Sequence, residues 1–258
     1  MNRIEETFEK LKRAGRKGFV GFLTAGDPDL KQSEQDIRMA LDAGVDVLEL
    51  GVPFSDPTAD GPTIQAASQR ALASGCTLDD VLGLVRRIRA DYATPIILFG
   101  YANLFFHYGY EKICRAAIEA GADGMLIVDL PYEESGEIKR YMDDRLNFIS
   151  LVAPTTPPER LKKIMTDASG FVYYIMVTGV TGTRSSVVVD LDEHIQTLRA
   201  ATDLPIAVGF GVSNGKQAAE VAQYADAVVV GSALIKAARN GVLGELVADI
   251  RTGLDTLG

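Results

Sequence analysis

The chain has 258 residues, 47% of them apolar and 24% charged, a composition typical of one large α/β domain or two small ones. Its formal charge of −9 argues against nucleic acid or an anionic membrane as the main partner. A phosphorylated substrate stays open, because backbone amides at helix starts bind phosphate without lysines. The two cysteines, Cys76 and Cys114, form no CxxC or His/Cys cluster, which argues against a disulfide framework and a structural zinc site.

The N-terminal segment predicts an amphipathic helix, because Ile4, Phe8 and Leu11 recur at helical spacing. The segment lacks the apolar core of a signal peptide, and no apolar run of the sequence approaches the roughly 20 residues of a membrane span. We therefore expect a cytoplasmic protein.

Short apolar runs alternate with helical patterns along the rest of the chain. We count eight runs: GFVGFLTAG, VDVLELG, PIILFGY, GMLIVDLP, NFISLVAP, GFVYYIMV, PIAVGFG and DAVVVGS. Runs that are apolar on both faces are typical of parallel strands covered by helices. Eight β–α units of roughly 30 residues predict a single (β/α)₈ TIM barrel over residues 1–258, with an extra N-terminal helix. The alternative is an open doubly wound sheet, but GFLTAGDPDL does not supply the GxGxxG expected after its first strand.

Two helix starts carry clear capping signals. Thr77 and Asp80 predict a capping box at the start of one helix. Thr156 predicts the N-cap of a later helix, with Pro157 at its first position and Glu159 three residues after the cap. The sequence also contains a weak internal repeat, in which an aspartate directly precedes a predicted strand. Its three copies are DAGVDVLELGV, EAGADGMLIVDL and QYADAVVVGS.

Glu49 and Asp60 are the first candidate site residues. A barrel places its chemistry at the C-terminal ends of its strands, and Glu49 lies near the end of the second predicted strand. The structural alternative is a glutamate that faces the helices and pairs with a cation. Asp60 lies in the turn-rich loop that follows, where Asp before Gly is also common turn chemistry. The loop can bring both carboxylates to one pocket, whereas Asp56 in the same loop more simply organises the turn.

Glycine-rich elements after the last strands predict an anion site. Gly211, Gly231 and Ser232 follow the last two strands, where barrels often hold a phosphate. After the sixth strand, a loop with Gly179, Thr181 and Gly182 runs to a helix that we expect near Asp190, and its length suggests a lid. Tyr173, in that strand, either offers its hydroxyl to the pocket or packs in the barrel.

Neither histidine is a candidate catalytic group. His107 does not closely follow a strand end, and His194 falls at a predicted polar helix start. We interpret both as structural or solvated, which disfavours a histidine base, a metal centre and a Ser-His-Asp triad.

Several motifs together resemble those of the tryptophan synthase alpha chain family. They are GFLTAGDPD, LELGVPFSDPTADGPTIQ, YANLFF, GVTG, GFGVS and GSALIK, and the resemblance covers essentially the whole chain. It implies a (β/α)₈ barrel that cleaves indole-3-glycerol phosphate into indole and glyceraldehyde 3-phosphate. It implies no cofactor in this chain. The indole would pass through a tunnel to a beta chain that contains pyridoxal phosphate (PLP), usually within an αββα complex.

The resemblance also assigns roles to matching positions. Glu49 matches the general acid–base residue, which protonates an indole ring carbon and takes the proton of the glycerol hydroxyl. Asp60 matches the carboxylate that accepts the indole N–H and stabilises the positively charged indolenine tautomer. Tyr173 matches a tyrosine near the acid–base residue. The other matched positions are Phe22 and Tyr101 at the indole pocket, Gly182, Gly211, Gly231 and Ser232 at the phosphate, and Phe210 and Ala233 beside it.

Two positions depart from the family pattern. Thr58 stands where an aliphatic residue is usual, in a loop that would meet the beta chain, and Met176 stands where a serine is usual. These departures motivate an alternative in which the chain mainly activates a beta chain and catalyses weakly. A further alternative is another sugar-phosphate barrel, such as an isomerase or epimerase, which would explain the phosphate loops but not the paired Glu49 and Asp60.

Overall fold

The apolar runs of the sequence form the parallel strands of one barrel. The computed structural model describes residues 2–176 and 184–258, and for residues 184–190 it describes the backbone alone. The strands within these residues are β1 (Gly18–Thr24), β2 (Val47–Gly51), β3 (Ile96–Gly100), β4 (Gly124–Ile127), β5 (Asn147–Phe148), β6 (Ser150–Val152), β7 (Val172–Ile175), β8 (Ile206–Gly209) and β9 (Ala227–Val230). Their order around the sheet is β5-β4-β3-β2-β1-β9-β8-β7-β6, and the described strand pairs are parallel.

The helices follow the strands and surround them. They are α1 (Arg3–Arg13), α2 (Leu30–Ala43), α3 (Pro62–Ala73), α4 (Leu78–Arg89), α5 (Ala102–Tyr108), α6 (Tyr110–Ala120), α7 (Tyr132–Lys139), α8 (Pro158–Thr166), α9 (Arg184–Arg199), α10 (Gly215–Ala222), α11 (Ser232–Arg239) and α12 (Leu243–Asp255). None of these helices, as far as the chain is described, is long and apolar enough to cross a lipid bilayer.

The nine strand segments correspond to the eight predicted strands. Only Ile149 separates β5 from β6, and its N–H donates to Met125 O at 2.9 Å. The first half of this interrupted strand, β5, pairs with β4, and the second half, β6, pairs with β7. The sheet therefore closes on itself through one strand that changes partner midway, and the predicted barrel is confirmed.

Alternation along each strand divides the apolar side chains into two layers. Leu48 and Leu50 of β2 pack outward in the core between the sheet and the helices, whereas Val47 packs in the barrel interior. The interior also contains Ile4 and Phe8 of α1, with Phe8 5.6 Å from Phe171 between ring centroids. The predicted N-terminal helix thus closes the N-terminal end of the barrel and leaves its C-terminal end for the site.

The repeated aspartate before three strands has a structural role. Each one brackets a residue near the start of the preceding strand, because its N–H donates to the carbonyl oxygen of that residue and its carboxylate accepts the N–H of the same residue. The carboxylate bonds are Asp46 to Phe19, Asp123 to Ile96 and Asp226 to Ile206, each 2.8 Å. An arginine also pairs with each carboxylate: Arg251 with Asp46, Arg89 with Asp123 and Arg199 with Asp226. The repeated aspartates therefore fix the starts of strands, at the end of the barrel away from the site, and we call each of these pairs of hydrogen bonds a strand-start bracket.

The capping signals give one confirmed and one corrected prediction. The box is present at α4, where Asp80 N–H donates to Thr77 Oγ1 at 3.2 Å and Thr77 N–H donates to Asp80 Oδ2 at 3.0 Å. The prediction for α8 is wrong by one residue, because Pro157 is the N-cap and the helix begins at Pro158. Thr156 Oγ1 instead accepts the N–H of Ala153 at 3.1 Å, so the threonine stabilises the turn before the helix.

The expected helix start near Asp190 is also wrong. Helix α9 already begins at Arg184, and His194 lies well inside it. Helix α9 therefore begins earlier in the chain than the sequence suggested. The polar residues that suggested a helix start belong to the middle of α9.

Replacing Asp123 tests the strand-start bracket. In Asp123→Ala, the Arg89 guanidinium and the Ile96 N–H lose a carboxylate that is 1% exposed. We expect the free energy of unfolding to fall by about 3 to 5 kcal/mol, the usual cost of breaking a buried pair. Urea unfolding measures it. Asp143→Ala removes the partner of the exposed Arg145 and should cost below about 1 kcal/mol. Equal losses in the two variants would contradict the role assigned to Asp123.

Candidate active site

Glu49 points into the barrel. It shares its face of β2 with the interior residue Val47, while Leu48 and Leu50 face the helices. Its side chain is fully buried, and neither carboxylate oxygen has a hydrogen-bond partner among the described residues. Burial raises the pKa of Glu49 from 4.5 to about 8, because the charged form loses its hydration. Glu49 is therefore an inward, protonated acid near pH 7, and the alternative of a glutamate paired with a cation in the helix layer does not hold.

Apolar side chains enclose the space beside Glu49. Phe22 is the register partner of Glu49 on β1, and its ring meets that of Phe99 edge to face at 5.0 Å between centroids. Phe22 belongs to a small cluster with Ala67, Ile235, Ile64 and Phe99. This wall keeps water from the carboxyl group and offers aromatic surface to a flat, apolar ligand.

A glycine makes room for the Phe22 ring. A Cβ atom at Gly51, the last residue of β2, would lie 2.5 Å from Phe22 Cζ. Any side chain there would displace the ring from the wall. The glycine that ends the strand therefore shapes the pocket beside Glu49 by leaving space.

Asp60 reaches the site from the loop between β2 and α3. Burial raises its pKa from 3.8 to about 6, and a hydrogen bond with the Tyr101 hydroxyl opposes part of that rise. Tyr101 directly follows β3, and its hydroxyl oxygen accepts the N–H of Ala59 at 3.0 Å. The ring of Phe54, from the start of the same loop, stacks on the Tyr101 ring at 5.1 Å. The loop thus folds back onto β3 and holds Asp60 partly buried at the barrel mouth.

Tyr173 lies within range of the negative charges of both carboxylates. It packs with the interior cluster from β7, and burial and the negative charges of Glu49 and Asp60 raise the pKa of its phenol well above 10. A Cβ atom at Gly209 would lie 2.9 Å from the Tyr173 hydroxyl oxygen, so this glycine leaves room for the phenol. Tyr173 thus packs in the barrel interior, and its phenol is acted on by both acids, so the two roles that the sequence left open are compatible.

The glycine elements lie at the ends of β8 and β9. Gly211 has φ +66°, a left-handed conformation that favours glycine, and Phe210 beside it packs partly buried. Gly231 caps α11, which begins at Ser232 and continues with Ala233, and no side chain caps this helix start. The first-turn amides are therefore available to an anion. A Cβ atom at Gly231 would lie 3.4 Å from Phe22 Cβ, so this helix start borders the aromatic wall.

Comparisons with known proteins agree on one family. A family model described as tryptophan synthase alpha chain matches residues 8–250. The alpha chain of Geobacter sulfurreducens is 47% identical over 258 residues, which cover 100% of this chain and 98% of that protein. The alpha chain of Geobacter sp. strain M21 is 52% identical over 237 residues, which cover 92% of this chain and 89% of that one. The chain belongs to the tryptophan synthase alpha chain family.

A solved structure of the family has the same fold. The crystal structure of tryptophan synthase subunit alpha from Legionella pneumophila is 40% identical, has a TM-score of 0.91 and covers 99% of each chain. The resemblance seen in the sequence is thereby confirmed, and with it the expected lyase function. Membership of the tryptophan synthase alpha chain family also implies a beta chain as partner.

Several predicted positions lie at the edge of the site or outside the described residues. Thr58 is exposed on the Asp60 loop, where its N–H donates to Asp56 O at 2.9 Å. Met176 follows β7, and its N–H donates to Gly209 O at 3.0 Å. Gly182, together with Gly179, Thr181 and the expected lid, lies outside the described residues.

The histidines and cysteines lie apart from the site. His107 is exposed on α5, and His194 on α9 lies beside the Tyr174 ring, 6.1 Å between ring centroids. Cys76 and Cys114 are buried free thiols. In the described part of the chain, no group of three or more His, Cys, Asp or Glu residues could hold a metal ion.

Sequence reasoning missed two aromatic residues of the site, Phe99 and Phe54. Phe99 alternates with the interior Ile97 in PIILFGY, so the period of two could have placed it in the barrel. Phe54 carries no comparable signal, because its contact with Tyr101 depends on how the loop folds back.

The buried carboxyl group makes stability depend on pH. Between pH 5 and 7 the native state keeps the Glu49 proton that the unfolded state releases, so rising pH destabilises the wild-type chain. In Glu49→Gln this penalty is absent. We expect its free energy of unfolding, relative to wild type, to rise by about 2 kcal/mol from pH 5 to pH 7.

Urea unfolding at pH 5, 6 and 7 measures this difference. Glu159→Gln, at an exposed glutamate of α8, is the matched control and should follow the wild-type pH dependence. Parallel curves for wild type and Glu49→Gln would show that Glu49 is not held in its neutral form.

Proposed function

We propose that this chain cleaves indole-3-glycerol phosphate with Glu49 as general acid–base residue and Asp60 as the substrate-binding carboxylate. The proposal rests on the different pKa values of Glu49 and Asp60, two acids whose negative charges both raise the pKa of Tyr173. Near pH 7, Glu49 with a pKa of about 8 keeps its proton, whereas Asp60 with a pKa of about 6 is ionised. A reaction that needs one carboxyl group to give a proton and another to stay anionic fits this arrangement.

The proposed steps balance without an added reactant. Glu49 protonates the indole ring carbon that carries the glycerol chain, and the ring becomes a positively charged indolenine. Asp60 accepts the indole N–H and stabilises that charge. The Glu49 carboxylate then takes the proton of the adjacent glycerol hydroxyl. As the carbon–carbon bond breaks, its electrons return to the ring, and indole and the aldehyde glyceraldehyde 3-phosphate leave.

The remaining predicted positions bind the two ends of the substrate. Phe22, Tyr101 and Tyr173 would surround the indole. Phe210 and Ala233 would flank the phosphate, and Gly182, Gly211, Gly231 and Ser232 would bind it. Support comes from the start of α11, which no side chain caps and which borders the aromatic wall. One substrate that is apolar at one end and anionic at the other would contact both.

We propose that the chain itself needs no cofactor for this step, since the two carboxylates supply the acid–base chemistry. The indole would pass to a beta chain whose PLP completes tryptophan synthesis, within an αββα complex. Family membership supports this partner. It also disfavours the alternative of a sugar-phosphate isomerase or epimerase.

Amide substitutions test the two carboxylates. Glu49→Gln should lower kcat for indole formation by about 10³-fold or more, because it can neither give nor take the proton. Asp60→Asn should lose about 10²-fold or more, because a neutral amide cannot stabilise the developing charge. Indole release from indole-3-glycerol phosphate measures both.

Glu159→Gln, on the surface of α8, is the control for a lost carboxylate and should retain wild-type turnover. Circular dichroism should show folded barrels for all three variants. Near-normal turnover by Glu49→Gln would remove Glu49 from the assigned role.

An activating role beside catalysis is favoured by Thr58, which is exposed on the same loop as Asp60. Thr58→Leu restores the aliphatic residue usual in the family. Because its side chain lies outside the pocket, we expect kcat of the isolated chain to change by less than about twofold, while activation by a beta chain changes more.

Indole formation with and without a beta chain separates the two roles. Robust turnover by the isolated wild-type chain would exclude a pure activator. A Thr58→Leu chain that loses turnover in isolation would place Thr58 in the catalytic machinery instead.

A further inference from the structure

One tyrosine hydroxyl contacts two successive residues of the Asp60 loop. Tyr101 is 2% exposed and directly follows β3. Its hydroxyl oxygen accepts the Ala59 N–H at 3.0 Å, and the same hydroxyl acts as a donor that lowers the pKa of the Asp60 carboxyl group. A phenol can accept one hydrogen bond and donate another, so the hydroxyl that accepts from Ala59 keeps its proton for the Asp60 carboxylate. A single hydroxyl group of the barrel therefore holds the main chain before Asp60 and acts on the side chain of Asp60.

The Tyr101 ring contacts the other limb of the same loop. Phe54, near the loop's start, stacks on it with an interplanar angle of 29°. The loop's end is also held by Gln65 of α3, whose side-chain amide donates to the Asp60 carbonyl oxygen at 2.8 Å. Gln65 fixes the main chain of Asp60, whereas Tyr101 reaches its carboxyl group. The two contacts have different consequences for the direction in which the carboxylate points.

We propose that Tyr101 is the positioning residue of Asp60, and that its hydroxyl aims the Asp60 carboxylate across the barrel mouth. This inference rests on the proposed function, in which Asp60 meets the indole N–H. The Tyr101 ring lines the pocket, as the family resemblance implies. The hydroxyl has a separate task, because it acts through Asp60 and needs no contact with the substrate.

The groups around Asp60 determine the direction in which its pKa shifts when the Tyr101 hydroxyl is removed. The negative charge of Asp60 raises the pKa of Tyr101, which follows β3, and of Tyr173 in β7, and the charge of Glu49 also raises the pKa of Tyr173. Asp129, after β4, acts on the Tyr101 hydroxyl. The hydrogen bond from Tyr101 lowers the pKa of Asp60, while burial raises it. Removing the hydroxyl leaves burial unopposed, so the pKa of Asp60 rises and the acid limb of the activity profile moves to higher pH.

Tyr101→Phe tests this sign and keeps the ring stacked on Phe54. We expect kcat/KM for indole-3-glycerol phosphate to fall about 10-fold at pH 7, because the hydroxyl no longer aims Asp60 and no longer lowers its pKa. The part of the loss that comes from the raised pKa should disappear as pH rises, whereas the part that comes from misalignment should remain.

Tyr92→Phe is the matched control, because it removes a tyrosine hydroxyl that donates to Asp42 at 2.8 Å outside the site. It should retain the wild-type pH profile. A Tyr101→Phe profile that falls equally at every pH would overturn the inference in favour of simple pocket lining.

Carbon-13 NMR titration of the Asp60 carboxyl group gives a readout that is independent of turnover. Tyr101→Phe should raise the pKa of Asp60, and fluorotyrosine at position 101, a stronger donor, should lower it. Shifts below about 0.2 units in both variants would overturn the inference. If Tyr101→Phe does not fold, the inference is tested by the pKa of Asp60 in the fluorotyrosine chain, which keeps the hydroxyl. If the wild-type chain makes no indole but the pKa moves as expected, the proposed function fails and the coupling stands.

Discussion

The carboxyl group of Glu49 is enclosed in the barrel with no hydrogen-bond partner among the described residues. The rest of the site depends on this burial. An ionised carboxylate there would lose its hydration without compensation, so the group holds its proton up to a pKa of about 8. The apolar wall of Phe22 and Phe99 maintains this burial by excluding water. Stability is thereby given up for a carboxyl group that still carries its proton near neutral pH, as the proposed function requires.

The rest of the barrel supplies the rigidity that such a group requires. Interior side chains and α1 fill the N-terminal end of the barrel, and the three aspartate brackets fix where strands start. These features lie at the end of the strands opposite the loops that carry Asp60 and the glycine elements. A strand thus holds the fully buried acid, and a loop held against Tyr101 carries the half-buried one.

Local features of the sequence predicted most of the fold. Short apolar runs identified the eight strands, helical spacing identified the N-terminal helix, and the place of Glu49 near a strand end singled it out, because each of these depends on neighbours along the chain. The errors have local causes: Thr156 capped a turn in place of a helix, and polar residues near His194 imitated a helix start. Contacts made by loops, in contrast, have no periodic pattern in the sequence that would predict them. The Phe54–Tyr101 stack and the bond from Ala59 to Tyr101 exist only once the loop has folded back onto β3.

The same loop carries chemistry and exposed surface a few residues apart. Asp60 is half-buried against Tyr101, whereas Thr58 is exposed two residues earlier in a turn closed by its N–H bond to Asp56. The exposed turn and the Ala59 N–H that donates to the Tyr101 hydroxyl are adjacent along the same backbone. A partner that contacted the turn would therefore act one residue from the bond that supports Asp60. Under the proposed function, coupling between a beta chain docked at this turn and cleavage would need only this loop and no longer pathway through the barrel.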